Sequence, residues 1–562
     1  MNILGLNYFF HDSTASILQD GKLLIAIEEE RLTRRKHTVE FPTRSARRCL
    51  DVVGMSPADI DAIAVSIRPS ENAPSKIVHG LRRPREGRRF LGLELSAYRA
   101  RNAGLMKWYH ATWPDEQRRP RIHFIPHHLC HAPGSFLMSP YDDAALLSID
   151  GSGEWASAWF GKGDGRKIER YSETYFPHSL GSFYEAVTEF CGFRTNYDEG
   201  KTMGLAAYGD PNVFYGVVKN MVRVKDDLSF ELDLSYFDHQ YWGASRCSPK
   251  FRETFGRPRK EGEPFEDHHH NAAAAFQRVL EESALDLCRQ LKKRSKAKHL
   301  VIGGGVALNS VMNGRLVRES GFQDLYVMPA AGDNGTGIGA SSYLYHSELG
   351  HPRSFVHNDP YVGTSYSDAQ IKRALDEAKL RPERVEDPAG IAAEIIHQGM
   401  ILGWFQGRME IGPRSLGNRS ILADPTRPEM KDKLNAEVKH REPFRPFAPS
   451  VIVEKRSEYF QIEVEDPFML KVCYVRPEKR AALPAITHVD GTARLQTVHK
   501  DVNPLYHRLI SELGQRNGIP VVLNTSFNVM GEPIVESPLD AIRCFYSTGI
   551  DALIVGNYLL KK

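Results

Sequence analysis

Cysteine is scarce in this chain: seven residues among 562, scattered and without a C-x-x-C pair. An odd, dispersed set argues against a disulfide framework and against cysteine zinc fingers. Any run of about eighteen apolar residues is missing, so no membrane-spanning helix is expected. The opening Met1-Asn2-Ile3-Leu4-Gly5 has no basic lead-in, and His11-Asp12 breaks the first apolar run, which excludes the pattern of a signal peptide. An excess of one charge is also absent. With 73 Lys and Arg against 70 Asp and Glu, the formal net charge is +3, too small for a general nucleic-acid footprint, so anion binding must come from local clusters. These absences predict a cytoplasmic protein with reduced thiols, and with neither nucleic acid nor membrane as a partner.

What is present points to an enzyme of two or more domains, the expectation for 562 residues with 41% hydrophobic and 25% charged content. Residues 3–8, 15–18 and 23–27 read as strands, with Asp20-Gly21 at a hairpin turn. Residues 144–149 and 155–160 repeat the pattern around Asp150-Gly151-Ser152-Gly153. Two such halves build the actin-like ATPases and sugar kinases, in which glycine turns let backbone N–H groups approach phosphates. A long helix is predicted over 272–293, then a strand over 299–302 entering Gly303-Gly304-Gly305, with Ala307 and Leu308 opening the next helix. Gly332-Asp333-Asn334-Gly335-Thr336-Gly337-Ile338-Gly339 begins another helix in the same manner. Residues 76–121, with Arg82, Arg83, Arg85, Arg88, Arg89, Arg99 and Arg101, form a basic insertion whose plainest reading is a solvated helical face. The texture changes near 355, where the domain boundary is placed.

Three groups of residues carry chemistry. His127 and His131, in His127-His128-Leu129-Cys130-His131, are four apart and would share one helix face, as a divalent metal requires. Asp150 and Asp333 are candidate oxygen ligands, and a His2Asp2 set suits iron(II), manganese or zinc. Gly407 to Arg419 and Lys439 to Pro449 set arginines among glycines and prolines, the rigid surroundings that hold a phosphate bidentately. Arg494, in a strand-like Thr492 to Thr497, could join them. Asn524-Thr525-Ser526-Phe527-Asn528 follows an apolar strand over 520–523 and lines a ligand site by position.

The combination resembles the O-carbamoyltransferases of antibiotic and nodulation-factor biosynthesis, of the NodU, cephamycin and tobramycin type. The resemblance spans nearly the whole chain and is carried by Tyr8-Phe9-Phe10-His11-Asp12-Ser13, Glu28-Glu29-Glu30-Arg31, the His127–His131 segment and Asp150-Gly151-Ser152-Gly153-Glu154. It continues through Lys201-Thr202-Met203-Gly204-Leu205-Ala206, Gly303 to Asn309 and the Arg414, Arg445 and Asn524–Asn528 segments. It implies an α/β fold: a Kae1-like domain of the actin, sugar-kinase and Hsp70 (ASKHA) type over 1–355, then a YrdC-like domain over 356–562. The second cleaves carbamoyl phosphate and forms carbamoyl adenylate from ATP; the first passes the carbamoyl group to an acceptor hydroxyl. The resemblance implies metal ligands at His127, His131, Asp150 and Asp333, with iron(II) first and manganese or zinc as alternatives. It implies anion contacts at Arg414, Lys439, Arg445 and Arg494, and catalysis at His11, whose imidazole pKa near working pH would suit a general base. Further substrate contacts fall on Lys201, Ser526 and Asn528, and nucleotide contacts on Gly151, Gly153, Gly304, Gly305, Asn309 and Asp333, with Mg2+ accompanying ATP. The sequence departs from the family at Ser415, where alanine is common, and at Pro133-Gly134, which hints at an early helix end.

Two other readings are weaker. A tRNA or hydrogenase-maturation enzyme would show a broad basic surface or finger cysteines. A non-catalytic actin-like partner would have no use for the C-terminal arginines. The acceptor itself is not encoded legibly; residues 76–121 and 236–257 are where it is sought, and a homodimer is the base-rate expectation.

Overall fold

The N-terminal strands form where expected: β1 (Asn2–Asn7), β2 (Thr14–Gln19) and β3 (Lys22–Glu28). Asp20 and Gly21 both take positive φ, 48° and 84°, the type I′ turn that matches strand twist. This computed structural model describes the whole chain apart from Phe10, Arg83, residues 242–244 and Glu463. Phe10 of the family motif, Arg83 of the basic stretch, the middle of the 236–257 loop and the Arg101 side chain therefore lie outside the described residues.

The chain divides into two units. Unit 1 is Met1–Glu29 with His37–His357; unit 2 is Asn358–Lys562 together with Glu30–Lys36. The charged run after β3 thus belongs to unit 2. Arg31 donates to the Gly412 carbonyl at 2.8 Å, and Arg34 to those of Ile534 and Pro533, each at 2.7 Å.

Among the described residues, unit 1 holds two five-stranded sheets of one topology. The first adds β4 (Ala62–Val65) and β5 (Arg121–Phe124) in the order β3-β2-β1-β4-β5. The second contains β6 (Asp143–Ile149), β7 (Ala156–Asp164) and β8 (Lys167–Tyr175). After a small hairpin, β9 (Val222–Val224) and β10 (Phe230–Leu232), it is completed by β11 (His299–Gly303) and β12 (Asp324–Val327), in the order β8-β7-β6-β11-β12. In each sheet the first three strands are antiparallel and the last two join parallel to the first. This repeated order is the duplicated-half architecture of the ASKHA type. Ile3, Leu4 and Leu6 of β1 are fully buried, each contributing about 1.5–3 kcal/mol on burial.

Helix Thr336–Tyr343 crosses β1 and the segment following His131 at contact distance. A Cβ on Gly339 would lie 1.8 Å from the Cys130 carbonyl oxygen, and one on Gly5 would lie 2.1 Å from that of Gly337. Gly337 and Gly339 therefore serve close packing rather than a phosphate-cradling turn, which corrects the reading of that run. The second glycine turn differs too: Gly305–Leu308 is a 3₁₀ turn, and the helix starts at Ser310 behind the Asn309 cap.

In unit 2 a mixed eight-stranded sheet is built, among the described residues, from β13 (Glu383–Arg384), β14 (Leu402–Phe405), β15 (Arg419–Ala423), β16 (Ala448–Ile452) and four later strands. Between them a smaller sheet gathers β17 (Phe460–Gln461), β18 (Val472–Val475) and β19 (Thr492–Arg494). The large sheet then takes β20 (Gln496–Val498), β21 (Val521–Ser526), β22 (Ala552–Val555) and β23 (Tyr558–Lys561). Leu402 and Trp404 face one core with helices Pro388–His397 and Pro504–Asn517, while Phe405 and Ile421 face the other. The period of two thus buries both faces. Two expectations change here. The strand over 492–497 breaks at Leu495 between the two sheets, and Asn524, Thr525 and Ser526 lie within β21 rather than after it.

Gly339→Ala should lower the unfolding free energy by about 1–3 kcal/mol, the usual effect of overpacking. An unchanged denaturation midpoint would show that the crossing has room to spare.

Candidate metal and anion sites

The four predicted metal ligands come together in unit 1, arriving from three loops. Asp150 follows β6, Asp333 opens the turn after β12, and the histidines lie between β5 and β6. Their ligand atoms all fall within 4.8 Å of one another. His127 Nε2 is 3.2 Å from Asp150 Oδ2 and 3.3 Å from Asp333 Oδ1; His131 Nε2 is 3.1 and 3.5 Å from the same atoms. The expected shared helix face is not how this happens. The helix His127–Cys130 is a single turn that ends at His131, whose ψ of −109° leaves helical space before a second short helix, Ala132–Phe136. The rings still converge, with Nε2 atoms 2.9 Å apart.

Two of the ligands are held by a second partner. Asp150 Oδ1 accepts from the Gly151 and Gly305 N–H groups at 2.8 and 3.1 Å, which turns Oδ2 to the imidazoles. His127 Nδ1 faces the Ser66 carbonyl at 3.2 Å. A carbonyl only accepts, so Nδ1 keeps its proton and Nε2 is the atom available to a cation. The buried Glu154 accepts from the His127 N–H at 3.0 Å and the Arg68 N–H at 2.6 Å, a support that the sequence did not reveal. Two nitrogen and two carboxylate donors converging at this spacing fit a divalent transition metal. Burial opposes charge on both histidines, but the two aspartates outweigh it and raise His127 well above the ordinary imidazole value and His131 above it.

His11 lies on the loop after β1, which is fastened by Asn7 Nδ2 donating to the His11 and Asp12 carbonyls at 3.0 and 2.9 Å. Its Nδ1 meets Asp12 Oδ2 at 3.1 Å, and its Nε2 meets the Asn196 carbonyl. His37 Nδ1 takes the other Asp12 oxygen at 2.8 Å. Both nitrogens of His11 face acceptors, so in this arrangement the ring is an imidazolium. Burial disfavours that charge, yet Asp12, Asp333 and the Asn196 carbonyl push the pKa up to about 10. The expected value near working pH is overturned. Glu199, which the sequence reading did not single out, accepts from the Asn196 N–H at 2.7 Å and so holds this loop. Burial, with Glu185 adding to it, raises Glu199 to about 7.

Unit 2 gathers the predicted arginines. Arg414 sits in the loop between β14 and β15, Arg445 before β16 and Arg494 at the end of β19. Arg441, unremarked in the sequence although it lies in the same basic run, joins them. Burial and then the neighbouring guanidiniums push Arg494 well below its ordinary value, and burial with Arg445 pushes Arg414 to about 10. The buried Nε atoms of Arg414 and Arg494 have no hydrogen-bond partner. Asp466, raised to about 6 chiefly by burial, supplies the opposing charge. Glu410 braces the Arg414 loop, its Oε1 accepting from the N–H groups of Leu416, Asn418 and Arg419 at 2.6, 3.3 and 3.2 Å. Lys439 behaves differently. Its Nζ donates to the Ser526 carbonyl and, at 3.0 Å, to both Asn528 oxygens, which uses all three ammonium donors. Lys439, Ser526 and Asn528 thus bind one another, while Arg414 and Arg494 keep the unpartnered donors.

Residues 2–342 match the family described as Carbamoyltransferase N-terminus, and residues 393–562 the Carbamoyltransferase C-terminus. The chain belongs to the carbamoyltransferase family. An uncharacterized protein of Synechocystis sp. is 38% identical over 100% of this chain and 97% of its own length. The nodulation protein NolNO of Sinorhizobium fredii is 39% identical over 99% of this chain and 80% of its own. The 3'-hydroxymethylcephem-O-carbamoyltransferase of Streptomyces clavuligerus is 28% identical over 98% of each.

In this carbamoyltransferase the remaining expected residues separate. Gly151 and Gly305 meet Asp150, and Gly153 lies against His127, where a Cβ would come within 2.9 Å of its side chain. Gly304, at φ 95°, packs on Ile149. Asn309 is committed to structure, capping the next helix through Met312 N–H and pairing with Gln277 at 2.9 and 3.1 Å. Lys201 lies in unit 1, ion-paired with Asp198 at 3.2 Å. Among the described residues no helix is long and apolar enough to cross a membrane.

Metal ligation requires neutral imidazoles, and the aspartates raise both histidines above the ordinary imidazole value, so adding Fe(II) or Mn(II) to metal-free protein should release protons. Calorimetry in buffers of different ionisation enthalpy should register this, with apparent affinity falling as pH falls. His131→Ala should lose stoichiometric metal. Full occupancy in that variant, by elemental analysis, would refute the ligand set.

Proposed function

We propose that this carbamoyltransferase moves the carbamoyl group of carbamoyl phosphate, with ATP and through carbamoyl adenylate, to a hydroxyl of a small-molecule acceptor. The observation that carries the reading is the set of four mutually repelling arginines, of which Arg414 and Arg494 keep buried Nε donors without a hydrogen-bond partner, an arrangement suited to a multiply charged phosphate. The relative named for a hydroxymethylcephem supports a hydroxyl acceptor.

Water first cleaves carbamoyl phosphate to carbamate and phosphate, with Arg414, Arg441, Arg445 and Arg494 binding the anions and Lys439 positioning the Ser526–Asn528 segment. Carbamate oxygen then attacks the ATP α-phosphorus and pyrophosphate leaves. That exchange turns a poor electrophile into one with a good leaving group. In unit 1 the acceptor oxygen attacks the carbamoyl carbon, AMP departs and one proton is released. His127, His131, Asp150 and Asp333 would hold the metal, iron(II) in our reading, which when bound supplies a positive centre for phosphate oxygens. His11, with both N–H groups taken by Asp12 and the Asn196 carbonyl, offers a positive charge beside developing negative charge. It can accept the hydroxyl proton only after losing one of its own.

With carbamoyl phosphate, ATP and an accepted alcohol, the products should be phosphate, pyrophosphate and AMP in equal amounts. Efficient transfer without ATP would sink the adenylate route. Arg414→Ala should slow carbamoyl phosphate cleavage about ten- to hundredfold or more, because a charged hydrogen bond is worth about 1.5–3 kcal/mol.

The base role of His11 has its own pH signature. With its pKa raised to about 10, neutral imidazole is scarce at pH 7 and grows tenfold per pH unit towards that value. Transfer limited by a His11 base should therefore climb with pH between about 7 and 9, and His11→Gln should flatten the profile. A pH-independent rate across that window would leave His11 as a fixed positive charge only.

A further inference from the structure

The arginine-rich stretch plays no part in the chemistry above. It folds as two helices, Ala73–Leu81 and Pro84–Thr112. Their register is set by the Lys76–Glu94 ion pair at 2.7 Å and by a close approach at Gly80, where a Cβ on Gly87 would lie 1.6 Å from its carbonyl oxygen. One side of the pair is anchored on unit 1. His79 stacks on Tyr241 at 4.7 Å, meets Trp155 edge-on at 5.3 Å and donates from Nε2 to the Gln240 carbonyl at 2.8 Å.

Away from that anchor the two helices expose apolar and basic side chains together, with Leu93 and Leu95 at the two edges of the second helix's arginine-bearing face. Ile77, Val78, Leu81, Leu93, Leu95 and Tyr98 have 44–69% of their surface in solvent. Arg82, Arg85, Arg88, Arg89 and Arg99 are exposed around them. Between residues 77 and 99 the acids are Glu86 and Glu94 alone, and Glu94 is paired with Lys76. A merely solvated basic face would not need large apolar side chains, and several of them exposed beside arginines suit an interaction surface. The partner must offer negative charge and an apolar layer together. Nucleic acid would satisfy the arginines and leave the leucines in water. A second copy across a two-fold axis would set arginine against arginine.

We propose that the outer face of this helix pair docks on an anionic lipid surface. Arginines there meet headgroup phosphates while the leucines, isoleucine and tyrosine enter the headgroup–acyl boundary. The expectation of no membrane partner rested on the lack of a spanning segment, which has no bearing on helices lying in the interface.

Flotation of the full chain with phosphatidylcholine vesicles, with and without phosphatidylglycerol, tests this. Binding should require phosphatidylglycerol and weaken with salt. The triple change Arg85→Gln, Arg88→Gln and Arg89→Gln should lower partitioning by about a hundredfold, at about fivefold per arginine. Leu93→Ser with Leu95→Ser should weaken it independently, without shifting thermal unfolding, since both side chains are exposed. Absence of flotation with phosphatidylglycerol at low salt overturns the proposal, as does binding indifferent to both variants. Lipid-free self-association abolished by the leucine pair would assign the face to a second copy. Binding to RNA without binding to vesicles would assign it to nucleic acid. Either result would also overturn it.

Discussion

One carboxylate organises unit 1. Asp150 is gripped at Oδ1 by backbone N–H groups of two glycine turns and offers Oδ2 to two imidazoles. The grip depends on β6 and β11 being parallel neighbours, because adjacent strands, spaced by about 4.8 Å, bring the turns at their ends within reach of one side chain. Without that adjacency Asp150 would be a solvated turn residue, and the histidines would lack the oxygens that define their site.

The same topology is used at β1 with a different electrostatic result. Asp12, like Asp150, stands on the loop leaving the first strand of its sheet and faces two histidines. At Asp150 the imidazoles converge on carboxylate oxygens, with the outer nitrogen of His127 directed to the Ser66 carbonyl, an arrangement open to a cation. At Asp12 the carboxylate lies between the rings, and His11 is closed on its far side by the Asn196 carbonyl. The first constellation is arranged to receive a positive centre, and the second presents one. Placing both in one unit lets Asp333 act on each, as its charge is felt at His127 and at His11.

Unit 2 solves the opposite problem, because its arginines repel one another in a half-buried place. Such an arrangement is unfavourable for folding and is retained where an anion is to be bound. The surroundings limit the strain. Asp466 supplies one countercharge, Glu410 ties three N–H groups of the Arg414 loop, and Lys439 spends its donors on Ser526 and Asn528.

The sequence by itself determined the strands, the repeated halves and the residues that the fold gathers into the His–Asp and arginine clusters. Buried strands and glycine turns are local signals, and His127, His131, Asp150, Asp333 and the arginines are rare combinations in short motifs. What it could not determine was how those residues are used. The shared helix face for the histidines, the phosphate role of Gly337 and Gly339 and the free imidazole of His11 were all inferred from spacing or residue type. The tertiary structure replaced each with a long-range contact: a one-turn helix broken at His131, a helix crossing at van der Waals distance, and an Asn196 carbonyl 185 residues away in sequence. Glu154, Glu199, Glu410 and Arg441 were invisible for the same reason. A supporting carboxylate looks like any other acid until the fold decides which backbone N–H groups it meets, because hydrogen bonding and desolvation depend on neighbours in space and not on neighbours in the chain.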